Sequence, residues 1–257
     1  MHRELNIAIS AAQKAGKFLV ENFGTPQVVE YKGQIDPVTA LDNQAERMIA
    51  EILGKEFPTY DILGEEIHHS LHGNKPLWII DPLDGTSNYV HGYPLFAVSI
   101  ALQFNFEILL GVVFNPILNE NFSAERGGGA FLNGHPIKVS DIKSLDHALV
   151  GSGFPYDAWT SERDNVPEWG RFVKKVLSPR CDGCASLDLC HVANGRLDGF
   201  WELDLEPWDM AAGALIAEEA GALVTKVSGQ DFELHGRSVL AANPKLHAEM
   251  VLQLNSK

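Results

Sequence analysis

Cysteine is scarce in this chain. Only Cys181, Cys184 and Cys190 occur among its 257 residues. Three is too few, and odd, for a disulfide scaffold, which points to a reducing cytoplasm. Long apolar runs are missing too, and no stretch approaches the roughly 18 apolar residues of a membrane span. The N-terminal segment spaces its apolar residues helically but interrupts them with Glu4, Lys14 and Lys17. It therefore reads as an amphipathic helix and not as a signal peptide. Positive charge is also short. Twenty Lys and Arg against 34 Asp and Glu leave a net charge of −14, which argues against general binding to nucleic acid or anionic membranes. No internal repeat or low-complexity linker interrupts the chain.

What remains is ordinary for a soluble globular protein: 45% hydrophobic and 21% charged residues. A chain of this size buries roughly 75% of its unfolded surface. Periodicity predicts helices over residues 3–22, from Thr39 to Pro58, over Arg163–Leu177 and Ser186–Asn194, from Pro207 to Gly221, and after Pro244. Thr39 and Asp42 resemble a capping box. Strands are expected at 27–31, Asp61–Leu63, in the run from Leu77 to Ser123, near Ala130–Phe131, at 147–154 and 198–203, and in ALVT and SVLA. The whole reads as one catalytic unit, 1–257, of α/β class (α+β by some schemes). A soft internal division separates an N-terminal α+β half, 1–145, from a C-terminal α/β half, 146–257.

Residues 78–89, WIIDPLDGTSNY, carry the strongest chemical signal. An apolar strand ends in two carboxylates, Asp81 and Asp84, followed at once by Gly85 and Thr86. Strand ends are where open α/β sheets place ligands. Pro82 fixes one backbone angle and Gly85 permits close approach. A helix starting at Thr86 would direct its free N–H groups at an anion. Asp-Gly alone is common in turns; the whole string after a strand is far more specific. Just upstream, Glu65 and Glu66 follow another short strand and a glycine, so two strand ends could share metals. Downstream, WELDLEPWD holds Glu202, Asp204, Glu206 and Asp209. The first three would share one face of a strand, and most of the four face solvent. Asp209 differs, because it lies in the first turn of an apolar helix. Hard oxygen ligands beside a phosphate-sized turn suit magnesium-dependent phosphate chemistry, and bound cations would reconcile an acidic protein with an anionic substrate.

Together DPLDGT, GEE and WDMAAG resemble the inositol monophosphatase family. VTALD, WIIDPLDGTSNYVHGYPLFAVSIAL, GCASLDLCHVANGRLDGFWE and PWDMAAGALIAEEAGALVT extend the resemblance over essentially the whole chain. The resemblance implies a layered α/β/α/β/α sandwich of the sugar-phosphatase superfamily. It implies that Glu65, Asp81 and the Leu83 carbonyl ligate one Mg²⁺, and that Asp81, Asp84 and Asp209 ligate a second. A third ion would be held through Glu65 and water, and Mn²⁺ could substitute. The resemblance further implies catalytic roles for Glu65, Asp42 and Thr86, the last two orienting and deprotonating the attacking water. By the same resemblance Asp84, Gly85 and Thr86 would meet the phosphate, Lys32 would lie on the approach, and Gly183, Ala185 and Glu202 would contact the alcohol portion. The implied reaction is hydrolysis of myo-inositol monophosphates and similar polyol phosphates by direct attack of a metal-activated water. Fructose 1,6-bisphosphate, histidinol phosphate or NADP are alternative substrates, and a regulatory role through protein contacts is an alternative function. Lithium sensitivity, a cytoplasmic homodimer, and no direct nucleic-acid or membrane partner complete the expectation.

Other features carry less. Cys181-x-x-Cys184 overlaps the glycine loop of the substrate side and lacks the second pair a zinc site needs. The ten histidines, among them His68, His69 and His91, form no spaced metal motif, and His91 reads as structural. Gly127–Gly129 lacks the lysine and helix of a phosphate loop. Arg180 suits either an interface or the pocket.

Overall fold

The computed structural model describes residues 2–26, 28–31, 37–66 and 75–256. Among these, the helices are α1 (His2–Asn22), α2 (Ala40–Glu56), α3 (Thr86–Val90), α4 (Val166–Val173), α5 (Ala185–Ala193), α6 (Pro207–Glu219) and α7 (His247–Asn255). The strands of the first half are β1 (Val29–Tyr31), β2 (Pro37–Thr39), β3 (Asp61–Gly64), β4 (Leu77–Asp84), β5 (Ala97–Phe104), β6 (Glu107–Asn115), β7 (Glu120–Glu125), β8 (Ala130–Leu132) and β9 (His135–Pro136). Those that follow are β10 (Leu149–Ser152), β11 (Ser178–Arg180), β12 (Gly199–Leu203), β13 (Leu223–Thr225) and β14 (Ser238–Ala242).

Two sheets organise the molecule. A seven-stranded sheet runs β3-β4-β5-β6-β7-β8-β9, and a five-stranded sheet runs β11-β10-β12-β14-β13. In the first, only the β3–β4 pair is parallel. Short turns explain the antiparallel remainder, since a parallel pair needs a long crossover. Helices α1 and α2 cover the outer face of the larger sheet, α5 and α6 fill the space between the sheets, and α4 and α7 cover the far side. The layers are thus α/β/α/β/α.

Sequence pattern explains each layer. α1 buries a stripe of Ala8, Ala11, Ala12, Ala15 and Leu19, narrow enough to lie close on the sheet. α6 has no polar side: Met210 to Ala217 are all buried, as a helix between two sheets must be. Its backbone comes so close to β6 that a Cβ on Gly111 would sit 2.7 Å from the Ala212 carbonyl oxygen. β4 is buried along nearly its whole length, because α2 packs on one of its faces and α6 on the other.

Two expectations needed correction. The helix expected over Arg163–Leu177 is confined to Val166–Val173, and the strand β11 at Ser178–Arg180 that follows was not expected. Asn165 sets that start. It adopts a left-handed conformation (φ 67°) before α4. Its buried amide donates to Ser152 Oγ and the Gly153 carbonyl and accepts from Trp201 Nε1. The second correction concerns Glu202, Asp204 and Glu206, which share no strand face. β12 ends at Leu203, Asp204 turns left-handed (φ 64°) and Glu206 caps α6. Asp204 and Glu206 pair instead with Arg237 at the surface.

Candidate active site

Asp81 and Asp84 stand at the end of β4. In a regular strand, residues three apart point to opposite faces. Here the pairing with β5 is irregular between Asp81, opposite Ser99, and Asp84, opposite Ala97. That bulge re-aims the side chains, and Pro82 sits inside it, where no ladder donor is required. Gly85 follows with φ 91° and caps the short helix α3. A Cβ there would press on the Leu95 carbonyl at 3.1 Å and the Gly183 carbonyl at 3.2 Å, so a side chain would wedge apart the two loops that meet here.

Each acid is fixed by one oxygen. Asp81 Oδ1 accepts from the Leu83 N–H at 2.9 Å. Asp84 Oδ2 accepts from the Ser186 N–H at 2.7 Å, from Ser186 Oγ at 2.5 Å and from the Cys184 thiol at 3.1 Å. It thereby caps the first turn of α5 from another element, where a negative charge suits the helix dipole. Asp209 Oδ2 accepts from the Glu206 N–H at 2.7 Å in a capping box at the head of α6. Asp42 Oδ2 accepts from the Thr39 N–H at 2.9 Å and from Thr39 Oγ1 at 2.6 Å, the capping box read in the sequence. Its other oxygen, Oδ1, lies 3.1 Å from Thr86 Oγ1. That hydroxyl also lies 2.9 Å from the Leu83 carbonyl oxygen.

Charge is the main problem at this site. Asp81 is held well above the ordinary carboxylate range by burial, then by the charges of Glu65, Asp84 and Asp209. Asp209 is raised well above it by burial and by Asp84, with Glu65 and Glu202 adding to the effect. Asp84 is raised by burial, against the hydrogen bonds from Ser186 and Cys184. Glu202 is pushed from 4.5 to about 8 by burial and by Asp84. Asp42 is raised by burial too. Among the described residues, no cationic side chain offsets these charges on Asp81, Asp84 or Asp209. A buried to half-buried group of acids this uncompensated either holds protons or takes cations. The donors are all hard oxygens, which suits a divalent metal such as magnesium.

The remaining expected residues fall around this group. Glu65 directly follows β3, its N–H donating to the Ile80 carbonyl at 3.2 Å. Gly183 lies opposite Gly85, Ala185 opens α5, and Glu202 lies on β12 against Gly153. Lys32 lies outside the described residues. The thiol of Cys184 is buried and pushed far up by burial and by Asp84, the opposite of a reactive cysteine.

Three supporting residues escaped the sequence reading. Asn88 Nδ2 donates to the carbonyls of Leu95 and Asp182, both at 2.8 Å, and so ties the Gly183 loop to α3. Ser186 clamps Asp84. Glu46 is fully buried and accepts from the Glu66 N–H at 2.8 Å, which positions the Glu65–Glu66 turn. A signal for Glu46 did exist: with Asp42 it places two acids, one turn apart, on the buried stripe of Leu41, Ala45, Ile49 and Leu53.

This fold and this acidic centre define a sugar-phosphatase-type sandwich able to hold metal. The inositol monophosphatase family profile matches residues 1–257. An inositol-1-monophosphatase of Rhizobium meliloti is 45% identical over 243 residues, 93% of this chain and 91% of that protein. The Nus factor SuhB of Pseudomonas aeruginosa is 44% identical, covering 95% of this chain and 93% of that protein. A solved IMPase from Thermotoga maritima superposes with a TM-score of 0.91 at 39% identity, over 99% of this chain and 97% of that chain. The chain belongs to the inositol monophosphatase family, and it is a phosphatase.

Proposed function

We propose that this enzyme is a Mg²⁺-dependent phosphomonoesterase acting on myo-inositol monophosphates and similar polyol phosphates. The observation that carries this reading is the mutually repelling group of buried Asp81 and half-buried Asp84 and Asp209, with Glu65 beside it. Asp81, Asp84, Asp209, Glu65 and the Leu83 carbonyl would hold the metal. Bound there, Mg²⁺ would neutralise the acids and supply Lewis-acid stabilisation of phosphoryl and leaving-group oxygens. Everything else falls to the chain's own groups. The Thr86 hydroxyl has one proton and two acceptors in reach, Asp42 and the Leu83 carbonyl. With the Leu83 carbonyl engaged, Asp42 becomes its acceptor. A lone pair on Thr86 Oγ1 then orients a water, whose proton can pass through the pair to Asp42. The raised affinity of Asp42 for protons suits that task. Gly85 and Thr86 would hold the phosphate through their backbone N–H groups. Because the acids are already anchored, little reorganisation accompanies attack.

On the leaving-group side, Glu202, Gly183 and Ala185 would meet the alcohol. Raised to about 8, Glu202 offers a carboxyl group that can both donate to and accept from polyol hydroxyls, which favours inositol over less hydroxylated esters. The name of the Rhizobium relative supports the same choice. The decisive experiment is phosphate release from inositol 1-phosphate, fructose 1,6-bisphosphate, histidinol phosphate and NADP with Mg²⁺. Highest kcat/KM on inositol 1-phosphate is expected, and a clear preference for another ester would replace the substrate assignment. We also read residues 1–257 as one catalytic unit, cytoplasmic, homodimeric and lithium-sensitive. A second reading rests on the relatives named Nus factor SuhB: regulation through protein contacts. A metal-site variant that keeps the cellular phenotype would favour it.

A further inference from the structure

Outside the phosphatase centre, a second group of metal-type donors remains without a task. Asp182, Asp188 and His191 each present one donor atom, and these atoms lie within 4.8 Å of one another. Asp188 and His191 stand three apart on α5 and share a face, while Asp182 reaches them from the preceding loop. The histidines show no spaced motif in the sequence because one of the three donors comes from outside the helix.

Two observations point to a ligand. Asp188 is only 2% exposed, and its Oδ1 is buried with no hydrogen-bond partner. His191 Nε2 is also buried and without a partner. Native chains seldom leave buried polar atoms unpaired. The surroundings do not offer Asp188 a counter-charge: burial and the acids Asp182, Glu202 and Asp84 all act against its ionised form. His191 packs its ring against the edge of Phe122, and burial lowers its proton affinity. That leaves a neutral imidazole with a lone pair to give.

We propose that Asp182, Asp188 and His191 form a divalent-cation site, distinct from the Asp81–Asp84–Asp209 group, that ties the Asp182–Gly183 loop to α5. Two carboxylates and one imidazole suit Mn²⁺, Co²⁺ or Zn²⁺ better than Mg²⁺, which prefers oxygen ligands and retained water. The loop it fixes also meets Asn88 through the Asp182 carbonyl and lies against Gly85 through the Gly183 carbonyl. An ion here would therefore act on the substrate side of the pocket.

The test uses Co²⁺ on the full chain in excess Mg²⁺, both in the unaltered protein and in an Asp81→Asn/Asp209→Asn background. Visible absorption and bound-metal analysis are the readouts. One equivalent of Co²⁺ with a nitrogen-ligand spectrum is expected in both. His191→Gln and Asp182→Asn should each weaken it by more than about 100-fold, beyond the roughly 10- to 100-fold that loss of an outer-shell partner costs. Asp182 is half-buried, so its variant remains informative if changes on α5 impair folding. Absence of Co²⁺ in both proteins, as a proton shared by Asp182 and Asp188 would give, overturns the proposal. So does unchanged binding in folded His191→Gln. Because the readout is bound metal, failure of the phosphatase reading leaves this result interpretable on its own.

Discussion

At the scale of single residues, each key acid here has one oxygen committed to holding it in place. Asp42 and Asp209 are third residues of capping boxes, Asp81 is pinned by the N–H two residues on, and Asp84 caps a foreign helix. Their remaining oxygen is then aimed without cost at the moment of reaction. Thr86→Val keeps the shape of the side chain but removes the hydroxyl between Asp42 and the Leu83 carbonyl. The expected loss in kcat is about 10²- to 10⁴-fold, with Mg²⁺ dependence retained, as steady-state phosphate release would report. Ser186→Ala removes one donor to Asp84 and leaves the backbone one. A weaker apparent Mg²⁺ affinity with a modest loss of kcat is expected from a Mg²⁺ titration. Asp81, Asp84, Gly85 and Thr86 were legible in the sequence because they are contiguous and follow an apolar strand. Glu65 and Asp209 stood out locally, one after a short strand and one in the first turn of an apolar helix, and the resemblance joined them to the site and added Asp42. Ser186 and Asn88 were not legible, since their partners lie 102 and 94 residues away.

At the scale of elements, the site depends on a bulge and a close helix. The bulge in β4 is why two acids three apart can serve one centre, and Pro82 marks it in the sequence. α6 carries Asp209 and lies directly on β6 at Gly111. Gly111→Ala would force its Cβ onto the Ala212 backbone, at 2.7 Å from the carbonyl oxygen and 2.9 Å from Cα. Backbone cannot rotate away as a side chain can, so a loss of about 1–3 kcal/mol is expected, read by thermal or urea unfolding. An unchanged midpoint would show that the layers can part freely. Long amphipathic and apolar runs such as α1, α2, β5 and β6 were legible from period alone. The failures came where one residue takes a left-handed backbone. Asn165 and Asp204 end their local pattern through φ 67° and φ 64°, and nothing in their neighbours' hydropathy announces it. The five-layered arrangement was carried by the resemblance, not by period.

At the scale of the molecule, the acidic centre couples stability to pH and to metal. Glu202 moves from 4.5 to about 8 in the folded chain, and Asp81, Asp84 and Asp209 move in the same direction. An acid raised on folding binds more protons folded than unfolded between its two values. Stability must then fall as pH rises from about 4.5 to about 8, and it is the acidic side that is protected. In EDTA, the melting temperature should fall across that window. Added Mg²⁺ should restore it, by more at the alkaline end, because a ligand bound only by the folded state stabilises it. A flat profile in EDTA would mean that the acids are not confined as described. The most direct measurement of the central claim is phosphate release from inositol 1-phosphate by the unaltered enzyme and by Asp81→Asn, each with Mg²⁺ and with EDTA. Release confined to the unaltered enzyme with Mg²⁺ is the expected result. Full release in EDTA, or by Asp81→Asn, would contradict the account.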